Sequence, residues 1–242
     1  MSKEKHYDIE KSFSDTIKNS ELLDASFEIT EVGLDRFLEE GIVRELPVVK
    51  TIYALMQSGI AIHDRLFIKK LISFLIRIDE VSPEKRKKMI ALVDNSKKYR
   101  IKVGEKLLYI LDRCNDYEVA ELVGELFKAY LTSNITYDQY ILASEAVSNM
   151  PVATIKGFII GYDTEKGWRS IEDVSGYIHS GLYDINYEEP NVVIRENDDY
   201  KALREGSANQ YVADVQDGGM WATPSELGGV IWSALGGLYR EE

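Results

Sequence analysis

Residues 47–79 read PVVKTIYALMQSGIAIHDRLFIKKLISFLIRID. From Leu46 to Ile62 there are 17 residues with a single charge, Lys50. A membrane-spanning helix needs roughly 20 apolar residues, and Thr51, Gln57, Ser58 and Gly59 dilute the run further. The run therefore reads as core. His63-Asp64-Arg65 then breaks it, and three polar residues between two apolar helices point to a turn whose polar groups satisfy one another. Beyond it, Lys69, Ser73 and Arg77 lie four apart, which lines them up as one narrow polar stripe on a helix from Leu66 to Ile78, with Lys70 beside it. Such a helix fits two places. It can be the centre of a bundle, its stripe just reaching water. It can also lie in a membrane interface, with Lys and Arg at headgroup level. The bundle centre is the expectation, and the interface is the alternative.

Working outward, helix signals dominate on the C-terminal side. Ser82-Pro83-Glu84 supplies an N-cap, a proline at N1 and an acid in the first turn. A basic helix, EKRKKMIALVD, follows and is interrupted at Asn95-Ser96. A helix is expected from about Lys97 to Arg113, with Val103, Leu107, Leu108 and Leu111 on one face. Another runs from Glu118 to Leu131. Thr136 and Gln139 have capping-box spacing and start a helix that Pro151 follows, with Tyr140, Ile141, Ala143 and Val147 as its buried face. On the N-terminal side, Leu34, Leu38 and Ile42 mark a short amphipathic helix. Residues 1–30 are polar, with scattered apolar positions such as Phe13 and Ile17, and predict a frayed start with short helices at most.

After Gly161 the texture changes and glycine becomes frequent. Trp168 to Ser180 can form a helix. Residues 182–187, 192–195 and 211–215 look like short strands, the first two split by Glu188-Glu189-Pro190. Asp217-Gly218-Gly219 is a hairpin signal before Met220-Trp221. Thr223-Pro224-Ser225-Glu226 reads as the capped start of a last helix. The three tryptophans, Trp168, Trp221 and Trp232, would build this module's small core. The sequence thus predicts a mainly α protein: a polar segment at 1–30, a helical bundle at 31–160, and a small α+β module at 161–242 compatible with a winged-helix-like arrangement.

Charge is unevenly spread. The chain has 242 residues and a net charge of −12. Lys50 to Arg113 holds 15 Lys+Arg against 7 Asp+Glu, a net of +8, which leaves −20 on the rest. An acidic chain is a poor general binder of nucleic acid. The basic block either pairs with acidic parts of the same protein or meets an anionic surface. The candidate surface is Lys50, Arg65, Lys69, Lys70, Arg77, Lys85, Arg86, Lys87 and Lys88, and His63, Asp64 and Arg65 form the candidate polar network.

Motifs for chemistry are scarce. Cys114, the single cysteine, lies in DRCND between acids that would raise its pKa. One cysteine forms no internal disulfide, and the N-terminus lacks an apolar signal region, so a cytoplasmic setting is expected. His6, His63 and His179 stand in no metal-ligand pattern. The glycine pairs form neither a dinucleotide fingerprint nor a P-loop. The acidic stretch at 188–199 lacks EF-hand spacing. The sequence names no catalytic residue, metal or cofactor.

The segment from Val32 to Met150 resembles a family of bacterial helical proteins of unassigned function. The resemblance rests on Glu45-Leu46-Pro47-Val48-Val49, Asp64-Arg65-Leu66-Phe67-Ile68-Lys69-Lys70, Ser82-Pro83-Glu84 and Lys97-Lys98-Tyr99-Arg100. Further along it rests on Ala120-Glu121-Leu122-Val123-Gly124 and Leu126-Phe127-Lys128-Ala129-Tyr130-Leu131. Thr223-Pro224-Ser225-Glu226-Leu227-Gly228 is similar to a string ending the winged-helix-like tail of that family, with two residues in place of one. The resemblance implies an accessory gene of the mobile or phage-defence kind and transfers no residue role. Together these observations favour a non-enzymatic bacterial protein acting through protein contact or self-association, with an anionic membrane surface as a further partner at the inner face. A winged-helix transcriptional regulator and an enzyme with an unfamiliar site are the alternatives.

Overall fold

A computed structural model describes residues 3–19, 46–56, 62–162, 167–196, 200–206, 211–216 and 218–239. Two compact units emerge, residues 1–162 with 229–242, and residues 163–228. The first is helical. It contains α1 (Lys3–Asn19), α2 (Pro47–Met56), α3 (Ile62–Asp79), α4 (Pro83–Asp94), α5 (Val103–Arg113), α6 (Tyr117–Leu131), α7 (Tyr137–Ser148) and α8 (Val152–Gly161). The helix expected around Leu34 to Ile42 lies outside the described residues.

Helix α3 takes the central place. Leu71, Phe74, Leu75 and Ile78 are wholly buried, and Ile68 and Ile72 nearly so. It packs most extensively on α6, whose eleven buried residues include Leu122, Val123, Leu126 and Phe127. The two backbones approach closely at Gly124, where a Cβ would come within 2.9 Å of the Phe74 carbonyl oxygen. Only a residue without a side chain fits there without displacing α3. No helix among the described residues is long and apolar enough to cross a membrane.

The N-terminus departs from its sequence reading. Instead of fraying, α1 is a 17-residue helix. Phe13 and Ile17, four apart, are wholly buried, and Phe13 meets Phe74 with ring centroids 6.1 Å apart. Thr16 Oγ1, also buried, accepts the Val48 N–H at 3.1 Å. Two apolar residues in a polar stretch are weak local evidence, and tertiary packing supplies the rest.

Caps behave as their chemistry dictates. Ser82 accepts from Lys85 N, Asp116 from Val119 N, and the Thr136–Gln139 capping box is complete. Helix α5 starts at Val103 rather than Lys97, because Asp94 Oδ1 accepts the Val103 N–H at 2.9 Å and residues 97–102 turn instead. His63-Asp64-Arg65 form the first turn of α3 rather than a break between helices.

The second unit carries β1 (Arg169–Ser170), α9 (Ile171–Val174), β2 (Tyr183–Tyr187), β3 (Asn191–Glu196), α10 (Tyr200–Arg204), β4 (Tyr211–Gln216) and β5 (Met220–Pro224). Helix α11 (Glu226–Leu235) begins in it, and its later residues belong to the helical unit. The antiparallel three-stranded sheet has the order β1-β5-β2, and β3 pairs with β4 separately. The helix expected over 168–180 is one α-turn followed by a 3₁₀ segment, Ser175–Ser180. The hairpin expected at Asp217-Gly218-Gly219 does not join β4 to β5 as partners, since the two strands pair with different strands. The last helix is capped by Ser225, which accepts the Gly228 N–H at 3.0 Å, while Thr223 and Pro224 stay in β5. Nor do the tryptophans form one core. Trp168 is exposed, Trp221 is half-buried, and Trp232 stacks on Tyr162 within the helical unit at 4.8 Å.

Candidate functional site

The basic block is largely used inside the helical unit. Lys69 is buried, and so is Ser73 of the same stripe. Lys70 donates to the carbonyl oxygens of Leu111, Asp112 and Cys114, at 3.4, 3.2 and 2.6 Å. It thus neutralises the negative end of α5. Arg77 pairs with Glu121 and, at 3.6 Å, with Glu125 on α6. Arg86 is wholly buried, donating to the Ile17 carbonyl oxygen at 3.0 Å and pairing with Asp79. Lys69 and Arg86 therefore leave the candidate surface, and Lys70 and Arg77 are engaged within the bundle. Lys50, Arg65, Lys85, Lys87 and Lys88 are exposed. The side chains of His63 and Asp64 lie outside the described residues, so the network with Arg65 is not described.

Cys114 and Glu125 are buried titratable groups of this unit. Burial pushes the Cys114 thiol up to about 12, with Lys70 opposing and Asp116 adding. The dominant cause is desolvation rather than the neighbouring acids, and the thiol is neutral at pH 7. Glu125 is raised by burial, and Lys128 and Arg77 oppose the shift. Lys128 bridges Glu125 and Glu80, at 2.6 and 3.0 Å. Among the described residues, no group of three or more His, Cys, Asp or Glu is placed to hold a metal ion.

Among the described residues, two surfaces stand out. The first is a shallow groove of about 470 Å³ between the 97–102 turn and α7. Tyr99, Ile101, Tyr137, Ile141 and Leu142 make its apolar lining, with Lys98, Arg100 and Lys106 around it. Leu142 is 61% exposed and Ile101 41%. Aromatic packing fixes the groove floor to the core, with Tyr99 edge-on to Tyr137 at 4.9 Å and Tyr137 next to Tyr130 at 5.3 Å. Asp138 accepts from Lys98 and, at 2.8 Å, from Tyr99. These bonds hold the Asp138 carboxyl below its usual range. Lys106 pairs with Glu145 at 2.7 Å. The side chains of Lys97 and Arg100, both exposed, have no ion pair among the described residues.

The second surface is a β-ribbon. In β2–β5, Tyr183 faces Pro224 and Tyr187 faces Met220; in β3–β4, Asn191 faces Gln216 and Glu196 faces Tyr211. One register therefore runs through both pairs. The Glu188 N–H donates to the Gly219 carbonyl oxygen at 2.8 Å, on that same register. Tyr183 to Glu196 and Tyr211 to Pro224 are thus one antiparallel ribbon, about 45 Å long at roughly 3.3 Å per residue. Pro190, which has no N–H to give a ladder, marks the interruption. Gly218, which falls opposite Glu189 on this register, is required there, because a Cβ would overlap the Glu188 carbonyl oxygen.

Among the described residues, nothing covers the outer half of this ribbon. All six residues of β3 are exposed, with Val192 at 55% and Ile194 at 70%. Tyr211, across from Glu196, is also exposed, as are Ile185, Tyr187 and Met220 nearer the base. Half of the exposed large apolar side chains among the described residues lie on the ribbon. Alternation puts Val192, Ile194 and Glu196 on one face and Asn191, Val193 and Arg195 on the other. A two-stranded ribbon is marginal in water without a third strand or a covering layer. The strand signals at 192–195 and 211–215 were legible in the sequence; what was missed is that no core faces them. Compared with protein-family models, curated proteins and solved structures, the chain matches none of them.

Proposed function

We propose that this protein works by protein contact rather than by catalysis, and that its docking element is the outer β-ribbon. The observation that supports the reading is the run of exposed residues 191–196, in which Val192, Val193 and Ile194 face solvent on both faces of a strand pair. Clustered apolar exposure of this kind marks interaction surfaces, and a ribbon with open edges and an apolar face is suited to another polypeptide. Phosphate docking is disfavoured, since residues 183–224 hold nine acidic and three basic side chains. The membrane reading loses its stripe, because Lys69 is buried and Lys70 and Arg77 are engaged.

A photo-crosslinking phenylalanine analogue at Ile194 tests the reading in the native host. A discrete protein adduct is expected, with none when the analogue is placed at exposed Asp173. Absence of any adduct at Ile194 and at Val192 would overturn the proposal. Co-sedimentation with anionic vesicles is expected to show no salt-sensitive binding, and such binding would return the function to the membrane.

A further inference from the structure

We infer that the partner of the ribbon is the basic groove of a second copy of this chain. The inference rests on the protein-contact reading above. Charge carries it. The ribbon and its loop, residues 183–224, have a net charge of −6, which opposes a face-to-face pairing of two ribbons. The groove lining holds three cations, Lys98, Arg100 and Lys106, against one acid, Asp138. Lys98 pairs with Asp138 and Lys106 with Glu145, which leaves Arg100 as the lining cation without an ion pair among the described residues.

The chemistry of the two surfaces matches. On the ribbon, Val192 and Ile194 share a face that ends in Glu196, followed in sequence by Asp198 and Asp199. At the groove, the apolar lining of Ile101 and Leu142 adjoins Arg100, with Lys97 nearby in sequence. Arg100 and Lys97 have no acidic partner among the described residues. An apolar strand face ending in a carboxylate satisfies both parts of the groove together.

The test is crosslinking at Ile194 in a mixture of isotope-labelled and unlabelled protein. An adduct at twice the monomer mass is expected, joining Ile194 of one isotope to residues 97–101 or 137–142 of the other. Arg100→Glu should weaken self-association about tenfold at low salt. Glu196→Arg in that background should restore it, which a merely misfolded variant would not do. A crosslink confined to one isotope, or one joining ribbon to ribbon, overturns the inference. So does an adduct with a different protein, although that result leaves the protein-contact reading standing. No adduct at all overturns both.

Discussion

In the helical unit a cation, Arg86, is wholly buried; in the β-ribbon an isoleucine, Ile194, is 70% exposed. Each reverses the usual placing of its residue type. The difference lies in what each surrounds itself with. Arg86 has the Ile17 carbonyl and Asp79 within reach, so part of the cost of its burial is offset. Ile194 has a strand partner, Ala213, and no covering layer among the described residues. One region uses charge to hold helices together. The other leaves apolar surface for something else to cover. A basic block in a sequence is therefore no map of a basic surface, and a strand pattern is no proof of a core.

The comparison breaks most severely at Arg86. Arg86→Ala leaves the Ile17 carbonyl and Asp79 without their cation and should cost about 4 kcal/mol in urea unfolding. A loss below about 1 kcal/mol would show that α1 is not held in this way. Next comes Lys69→Glu with Lys70→Glu, which buries one carboxylate and sets another against the carbonyls ending α5. A loss of about 3 kcal/mol is expected, against less than about 0.5 kcal/mol for Lys87→Glu with Lys88→Glu on exposed positions. Equal losses would mean that the block acts as one surface after all.

Cys114 sharpens the comparison through pH. Its folded value, about 12, lies above the ordinary 9.0. The protonated thiol is thus favoured by folding, and its contribution is full below pH 9. It is lost as pH rises toward the folded value, by about 1 kcal/mol per pH unit. The difference in stability between the protein and its Cys114→Ala variant should narrow over pH 9 to 11, and a pH-independent difference would place the thiol in water. The smallest effect belongs to the ribbon. Val192→Lys with Ile194→Lys should change stability by less than about 0.5 kcal/mol while abolishing self-association. A larger loss would show that the ribbon face is packed.

Helix existence, type and capping were legible along most of the bundle. Apolar spacing over 118–131 and the caps at Ser82 and Thr136 are local signals, each readable within a few residues. Helix α1 was not legible, because Phe13 and Ile17 are too few to outweigh polar neighbours until Phe74 is brought against them. The Asp94 bond to Val103 N, which shortens α5, spans nine residues and has no motif. In the second unit, the strands were readable by β-branched content. Their pairing was not, since a Gly-Gly turn signals a bend without naming which strands will pair.

By itself the sequence determined a mainly helical chain with a small sheet near its C-terminus, an acidic whole with a basic interior stretch, and the caps at Ser82 and Thr136. These follow from periodicity, propensity and short-range hydrogen bonding. Tertiary structure alone decided that Lys69, Lys70, Arg77 and Arg86 serve the bundle rather than its surface. It also decided that the β2–β5 and β3–β4 pairs share one register with an outer half that no described residue covers, and that Tyr99 and Leu142 meet in a groove. Burial and register are relations between residues far apart in the chain, and no local pattern encodes which of them will meet.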